Sequence, residues 1–182
     1  DLDKLYSIFD VLSLGDGEYA VFEALKIKRG IIDADDRKSS LFLKNDDLTE
    51  LPLPARHLVD MNSYKYHIEG ERATSLIAQL GCPFKCSFCS GRNSPFLRKI
   101  RTRTTESIVA EVDHLYKTYG LKGFMFYDDE LNVNKEMVNL MRELIKLQKK
   151  YKEQFMLRGF VKAELFNEEQ AEVMYEAGFR WL

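Results

Sequence analysis

The chain has 182 residues, 45% of them hydrophobic and 31% charged, a composition that excludes intrinsic disorder and fits one globular domain with at most part of a second. With 27 basic and 29 acidic side chains the net charge is -2, which gives no general attraction to nucleic acid or to an anionic membrane. No apolar run approaches the roughly 20 residues that span a bilayer, and no signal-peptide pattern opens the chain, so a cytoplasmic location is expected. The sequence begins at Asp1 without Met and stops at Leu182 directly after an expected helix end; it is read as a piece of a longer protein, with one broken sheet edge near Trp181 and Leu182.

In chain order, the apolar run at residues 9–14 predicts a strand and Gly15-Asp16-Gly17-Glu18 a tight turn. Residues 18–29 then place Val21, Phe22 and Leu25 on one helical face, with Gly30 as the stop. Residues 31–32 and 41–43 bracket a polar turn and predict a hairpin. Leu51-Pro52-Leu53-Pro54 excludes a helix or central strand there, so residues 44–63 are expected to form a surface connector and a domain boundary.

From Ala73 onward strands alternate with helices, the pattern of a parallel sheet with right-handed crossovers. The predicted strands are residues 73–80, 122–127, 154–161 and a fourth from Phe179. The first is apolar enough to be covered on both faces. Between them lie helices at 104–119 and 134–150 and a last one ending at Gly178, where Asn167 with Gln170 gives a capping signal.

Three cysteines, Cys82, Cys86 and Cys89, stand close together as C-x-x-x-C-x-x-C. The odd count and short spacings argue against disulfides and for a metal site or reactive thiol. Structural zinc wants four ligands, and His57, His67 and His114 lack finger spacing. Iron-sulfur clusters usually take four thiolates, so a cube held by three leaves one iron open. Both metals stay open on spacing alone.

The placement adds to this. In alternating strand–helix folds the loops leaving the strand carboxyl ends share one face. The long loop from Gly81 to Arg103 carries the cysteines, Asp128-Asp129-Glu130 follows the second strand, and Lys162 and Glu164 follow the third. All should meet on one rim.

Gly81 to Cys89, with the aromatic Phe88 before the last cysteine and a buried strand before the first, resembles the signature of radical S-adenosylmethionine enzymes. The region from Ala73 resembles the first half of their partial (β/α)6 TIM-like barrel. The resemblance implies an α/β fold and an enzyme in which Cys82, Cys86 and Cys89 bind a four-iron four-sulfur cluster, with S-adenosylmethionine chelating the fourth iron. An electron, from a donor such as flavodoxin or ferredoxin, would cleave that cofactor to methionine and a 5′-deoxyadenosyl radical. Phe88 would border the adenine. Asp128-Asp129-Glu130 falls where many members carry Gly-Gly-Glu, which assigns Glu130 to the methionine amino group.

Upstream, Leu14 to Glu18, Leu51 to Ala55 with Asp60 and Tyr64, and Arg101-Thr102-Arg103-Thr104 resemble the domain joint of the cobalamin-binding subclass. The organisation implied is 1–30 as the remnant of a Rossmann-like cobalamin domain, 31–72 as hairpin and connector, and 73–182 as the N-terminal barrel half. The Asp-x-His-x-x-Gly that supplies a lower-axial histidine in many relatives is absent. The reaction implied is methyl transfer or ring formation on an unidentified small-molecule or peptide substrate.

The other residues carry plainer readings. Arg92, Arg98, Lys99, Arg101 and Arg103 form a basic loop that is either solvated or offsets cluster, cofactor or phosphate charge. Asp128 to Glu130 would otherwise cap the helix at Asn134 or hold a hard cation, and Lys162 with Glu164 would be a surface pair. His114 should be exposed. The alternative from another class is a non-enzymatic, zinc-stapled interaction module; an electron-transfer protein would want a fourth cysteine. Self-association through the open barrel edge is also expected.

Overall fold

The computed structural model describes residues 4, 5 and 7–182; the side chain of Arg92, the first basic residue singled out in the loop, lies outside the described set. The chain opens with β1 (Val11–Gly15), α1 (Gly17–Ala24) and β2 (Gly30–Ala34). β1 and β2 pair in parallel, from Val11 opposite Gly30 to Gly15 opposite Ala34, with α1 as the crossover. The expected hairpin of residues 31–32 with 41–43 is not formed: β2 pairs in parallel with β1, and residues 41–43 are not in a strand. Phe42 and Leu43 fold in as buried side chains instead. α1 is shorter than the apolar pattern predicted and turns the other way: Ala20 is its buried residue, and Val21 and Phe22, with Leu25 just beyond its end, are exposed.

The connector contains α2 (Asn45–Glu50) and a single 3-10 turn at Arg56–Leu58. The sequence reading missed α2, which lies just before the proline pair. Lys44 at its start donates its amide to Asp47 Oδ2 at 2.8 Å, a local cap that periodicity does not reveal.

Beyond the connector come β3 (His67–Ile68), β4 (Glu71–Leu76), β5 (Gln79–Leu80), β6 (Arg101–Thr102), α3 (Thr105–Tyr119), β7 (Gly123–Phe126), α4 (Met137–Tyr151), β8 (Met156–Arg158), α5 (Glu168–Ala177) and β9 (Phe179–Trp181). Strands β3-β4-β7-β8-β9 form one sheet in that order, parallel except for the β3–β4 hairpin. Thr104 caps α3 by accepting the Ser107 amide, and Asn167 caps α5 by accepting that of Gln170. The expected α/β half-barrel of the TIM type, with helices between parallel strands, is the architecture found.

One strand differs from its expected extent. Residues 73–80 do not run straight through the sheet: β4 ends at Leu76, and the chain restarts as β5, which pairs antiparallel with β6. The cause is Asp128, whose Oδ1 takes the amides of Ala78 and Gln79 at 2.8 and 3.1 Å and so keeps both from continuing the β4–β7 ladder.

The outer face of the sheet buries Leu76, Phe124 and Phe126 against Ile108, Val112, Leu115, Leu140, Met141 and Leu144 of the helices. Its inner face is a small cluster of Ile68, Ala73 and Met125, with Met156 against it. Trp181 Nε1 donates to Glu69 Oε1 at 2.5 Å, linking β9 to the turn between β3 and β4. In a flat sheet strands four places apart would be roughly 19 Å from each other, so this contact requires a curl.

The upstream unit is bonded to the barrel by a buried ion pair between Asp16, in the β1–α1 turn, and Arg101 of β6. Asp16 also accepts the Leu43 amide at 3.1 Å. Removing one member of such a pair leaves a buried charge without compensation. Arg101→Ala is expected to lower the unfolding free energy in a urea titration by about 3–5 kcal/mol, and Asp16→Leu/Arg101→Met by clearly less. A loss below about 1 kcal/mol for the single variant would show that the pair does not hold the two parts together.

Candidate active site

The cysteine loop is closed at its neck. Leu80 pairs with Arg101 and Gln79 with Thr102, so the loop leaves and returns through two adjacent short strands. Just inside the neck the Cys82 amide donates to Leu97 O at 2.8 Å. Gly81 has φ +89, and a Cβ there would meet Lys99 O at 2.2 Å, so the chain passes too close to itself for any side chain at that position. The Cys89 amide donates to Cys86 O at 3.1 Å, closing a tight turn between the last two cysteines.

All three thiols are free and partly exposed. Among the described residues no three His, Cys, Asp or Glu side chains are spaced to share one metal ion. A tetrahedral zinc site requires such convergence, with each sulfur about 2.3 Å from a common centre. The set is all sulfur, a ligand type that both zinc and an iron-sulfur cluster take. His57, His67 and His114 are exposed, as expected for His114, and Phe88 projects from the loop at 91% exposure.

The loop after β7 supplies three carboxylates with three different settings. Asp128 is 1% exposed and holds the break between β4 and β5, as described. Its burial pushes it up to about 7, against the opposing pull of the two amides. Among the described residues its Oδ2 has no hydrogen-bond partner, nor does the buried Oε1 of Gln79. Asp129 Oδ2 accepts the Gly81 amide at 3.1 Å and so tethers the entry to the cysteine loop. Glu130 is partly buried; burial raises its carboxyl above the ordinary range, neighbouring Asp129 and Glu164 add to that, and Lys162 opposes it. Its carbonyl accepts from Gln79 Nε2 at 2.6 Å. Capping of the following helix is not what Asp128 and Asp129 do.

After β8, Lys162 pairs with Glu164 at 2.7 Å, as the plainer reading expected. Its Nζ also lies 5.1 Å from the centre of the Phe84 ring, over the cysteine loop. The Glu164 carboxylate holds Lys162 charged above its usual range, and the Cys86 thiol acts in the same direction. Asn132 grips the Lys162 backbone from both sides, accepting its amide at 2.8 Å and donating to its carbonyl at 3.0 Å. The cysteines, the 128–130 loop and Lys162 therefore meet on one rim.

The basic loop is not the solvated stretch that one reading proposed. Arg101 is buried against Asp16, and Arg103 donates to Glu111 Oε2 at 2.5 Å, where Arg56 also binds Oε1 at 2.8 Å. These charges are consumed inside the protein, which also removes them from the charge-offset reading; Lys99 alone of the later three is exposed. The sequence reading missed Glu111 and Arg56. The signal was present: Glu111 interrupts the inward stripe of α3 between Ile108 and Val112, where an unpaired charge would be unfavourable. Next to this network a cavity of about 450 Å³ lies between Leu51, Pro52 and Pro54 of the connector and Ser75, Ile77 and Tyr127 at the strand ends. A second, of about 300 Å³, separates Gly15 to Glu18 from Gln79 to Gly81 and Asp129.

Parallel strands with helical crossovers, a cysteine loop and carboxylates on the carboxyl-end rim define an α/β half-barrel enzyme site. The sequence profile of the Radical SAM superfamily matches residues 76–182, more than half of the chain, and the chain belongs to that superfamily. It is 28% identical over 135 residues to an uncharacterized methyltransferase of Pyrococcus horikoshii, covering 72% of this chain and 28% of that protein. It is 27% identical over 151 residues to the anaerobic magnesium-protoporphyrin IX monomethyl ester cyclase of Cereibacter sphaeroides, covering 75% and 24%. The chain thus spans about a quarter of the length of these relatives. Among solved structures it resembles the radical S-adenosylmethionine methyltransferase TsrM from Kitasatospora setae, determined with cobalamin and a 4Fe-4S cluster bound. That match has a TM-score of 0.52 and 23% identity, over 61% of this chain and 22% of TsrM. No helix among the described residues is long and apolar enough to cross a membrane.

Asp128 gives the site a measurable pH signature. A carboxyl raised from 3.8 to about 7 binds a proton more tightly when folded than when unfolded. Its contribution to stability is complete below about pH 4, is lost as pH rises towards 7, and changes no further above that. Asp128→Asn, which keeps the acceptor for both amides, should remove up to about 1.4 kcal/mol per pH unit of this decline, seen by urea unfolding at pH 5, 6 and 7. Identical slopes in the two proteins would show that Asp128 is ionised in the folded state throughout.

Proposed function

We propose that this chain is the cluster-bearing half-barrel of a cobalamin-dependent radical S-adenosylmethionine enzyme that carries out methyl transfer or ring formation. The observation that carries the reading is the set of three free thiols, Cys82, Cys86 and Cys89, held on the strand-end rim within the region that matches the superfamily. When bound there, a four-iron four-sulfur cluster supplies the electron that cleaves S-adenosylmethionine. The β1–α1–β2 unit belongs to a Rossmann-like cobalamin domain, a role supported by its parallel crossover.

The chain's own residues then have distinct tasks. Cys82, Cys86 and Cys89 are the protein ligands. Asp129 and Asp128 fix the two sides of the residue pair that leads into the loop, through the Gly81 amide and the Ala78 and Gln79 amides respectively. Lys162 places a positive charge beside Phe84 and Cys86, where it offsets the anionic thiolates. Glu130, on the same rim, binds the methionine amino group, and Phe88 borders the adenine. The exposed side of the loop is where an electron donor such as flavodoxin or ferredoxin docks.

Anaerobic reconstitution with iron and sulfide, followed by iron counting and electron paramagnetic resonance, tests the reading. About four irons per chain are expected, and Cys86→Ala should lose the cluster while its far-ultraviolet circular dichroism stays that of the parent, because the loop lies outside the packed strands. Preference for a single zinc, or global unfolding of Cys86→Ala, would sink it in favour of a structural metal.

A further inference from the structure

The cysteine loop does not rest on the barrel alone. Its return segment, Ser94-Pro95-Phe96, lies against the turn that follows β2 in the upstream unit. Asp35 Oδ1 accepts the Phe96 amide at 2.9 Å and is 3.4 Å from the Ser94 hydroxyl that donates to it. Arg37 donates from Nε and from Nη2 to the Pro95 carbonyl, at 3.1 and 2.9 Å. Proline has no amide to offer, so this carbonyl is its one main-chain handle, and two donors of one guanidinium occupy it. Asp35 is itself held, because Asp33 Oδ1 in β2 accepts the Asp35 amide at 2.9 Å and that of Asp36 at 3.3 Å.

The next residue passes this grip to the thiols. Leu97 O accepts the Cys82 amide at 2.8 Å. The Leu97 side chain fills the space beside Gly91: a Cβ on that glycine would come within 2.6 Å of Leu97 Cδ1 and 3.8 Å of Cys89 Sγ. Cys82 is thus fixed through the Leu97 backbone, and the surroundings of Cys89 through its side chain. Both ends of the cysteine motif depend on a residue whose neighbours are gripped from outside the barrel.

We infer that Asp35 and Arg37 are positioning residues for the cysteine motif: the upstream unit sets the placement of Cys82 against Cys89 and, resting on the reading of these thiols as cluster ligands, the properties of the cluster they hold. These bonds are charge-assisted on one side each and so among the stronger contacts available to an exposed loop. The guanidinium geometry is not one that a lysine reproduces.

Two measurements separate the inference from the reading beneath it. The first needs no metal: amide hydrogen exchange at Cys82 in the cluster-free, reduced chain. Asp35→Ala and Arg37→Ala should speed it about tenfold, the factor given by losing one charge-assisted hydrogen bond in a local opening, while Phe124 in β7 keeps the parent rate. Asp35→Asn, which retains the acceptor, should stay within about twofold of the parent. The second uses the reconstituted chain: both alanine variants should shift the midpoint potential and the paramagnetic resonance spectrum of the reduced cluster and release iron to a chelator faster, and Asp35→Asn should restore all three. Unchanged exchange at Cys82 in both alanine variants overturns the inference. So does faster exchange with an unaltered spectrum, potential and iron release, since the grip would then not reach the thiols. Failure of the parent chain to take up iron would defeat the cluster reading, while exchange at Cys82 would still decide the grip.

Discussion

Asp16 and Arg101 face each other out of reach of solvent, one in the β1–α1 turn and the other at the neck of the cysteine loop. Two charges withdrawn from water are tolerated where they are paired, although the buried Arg101 Nε has no hydrogen-bond partner among the described residues. Asp16 has the Leu43 amide as a second partner, and the Arg101 guanidinium lies 4.9 Å from the centre of the Phe42 ring and 5.9 Å from that of Phe96. Because Arg101 stands opposite Leu80 in the β5–β6 pair, fixing the guanidinium fixes the residue that leads directly into Gly81. The thiols are thereby referred to two frames at once: the strand ends of the barrel and the upstream unit.

The rim makes the same point in its carboxylates. Three successive acids after β7 would repel one another if all were ionised side by side in solvent-poor surroundings. The structure separates them: Asp128 goes inward to end a strand, Asp129 reaches across to the loop entry, and Glu130 stays on the rim opposite Lys162. Glu130 and Lys162 each influence the other, and Lys162 in turn faces Phe84 and Cys86. The electrostatics of the site therefore couple the loops after β5, β7 and β8, although no two of those loops are neighbours in sequence.

What the sequence disclosed was governed by locality. The cysteine spacing, the helices α3 and α5, the Asn167 cap of α5, and the alternation of strands from Ala73 all depend on residues a few positions apart, and each was legible. Long-range pairing was not. Residues 31–32 and 41–43 satisfy a hairpin pattern, yet residues 31–32 pair in parallel with residues 12–13 of β1 and residues 41–43 form no strand. Likewise nothing near Ala78 announces that an aspartate fifty residues on will end its strand. The arginines at 101 and 103 look like a solvated loop because their partners, Asp16 and Glu111, lie elsewhere in the chain. Of the site itself, the ligand candidates and the rim could be read, whereas the residues that set their geometry, Asp35, Arg37, Gln79 and Asn132, could not.

Gly81 has a consequence for how such a chain can drift over time. Its amide is tied to Asp129 and the space where a side chain would begin is filled by the backbone of Lys99. A replacement there must push the outgoing and returning arms of the loop apart, and no change elsewhere in the loop can absorb that, because the obstruction is main chain rather than a removable side chain. Novelty in reactivity is therefore channelled to the outward residues, such as Lys85 and Asn93, which can vary without disturbing the crossing point beneath them.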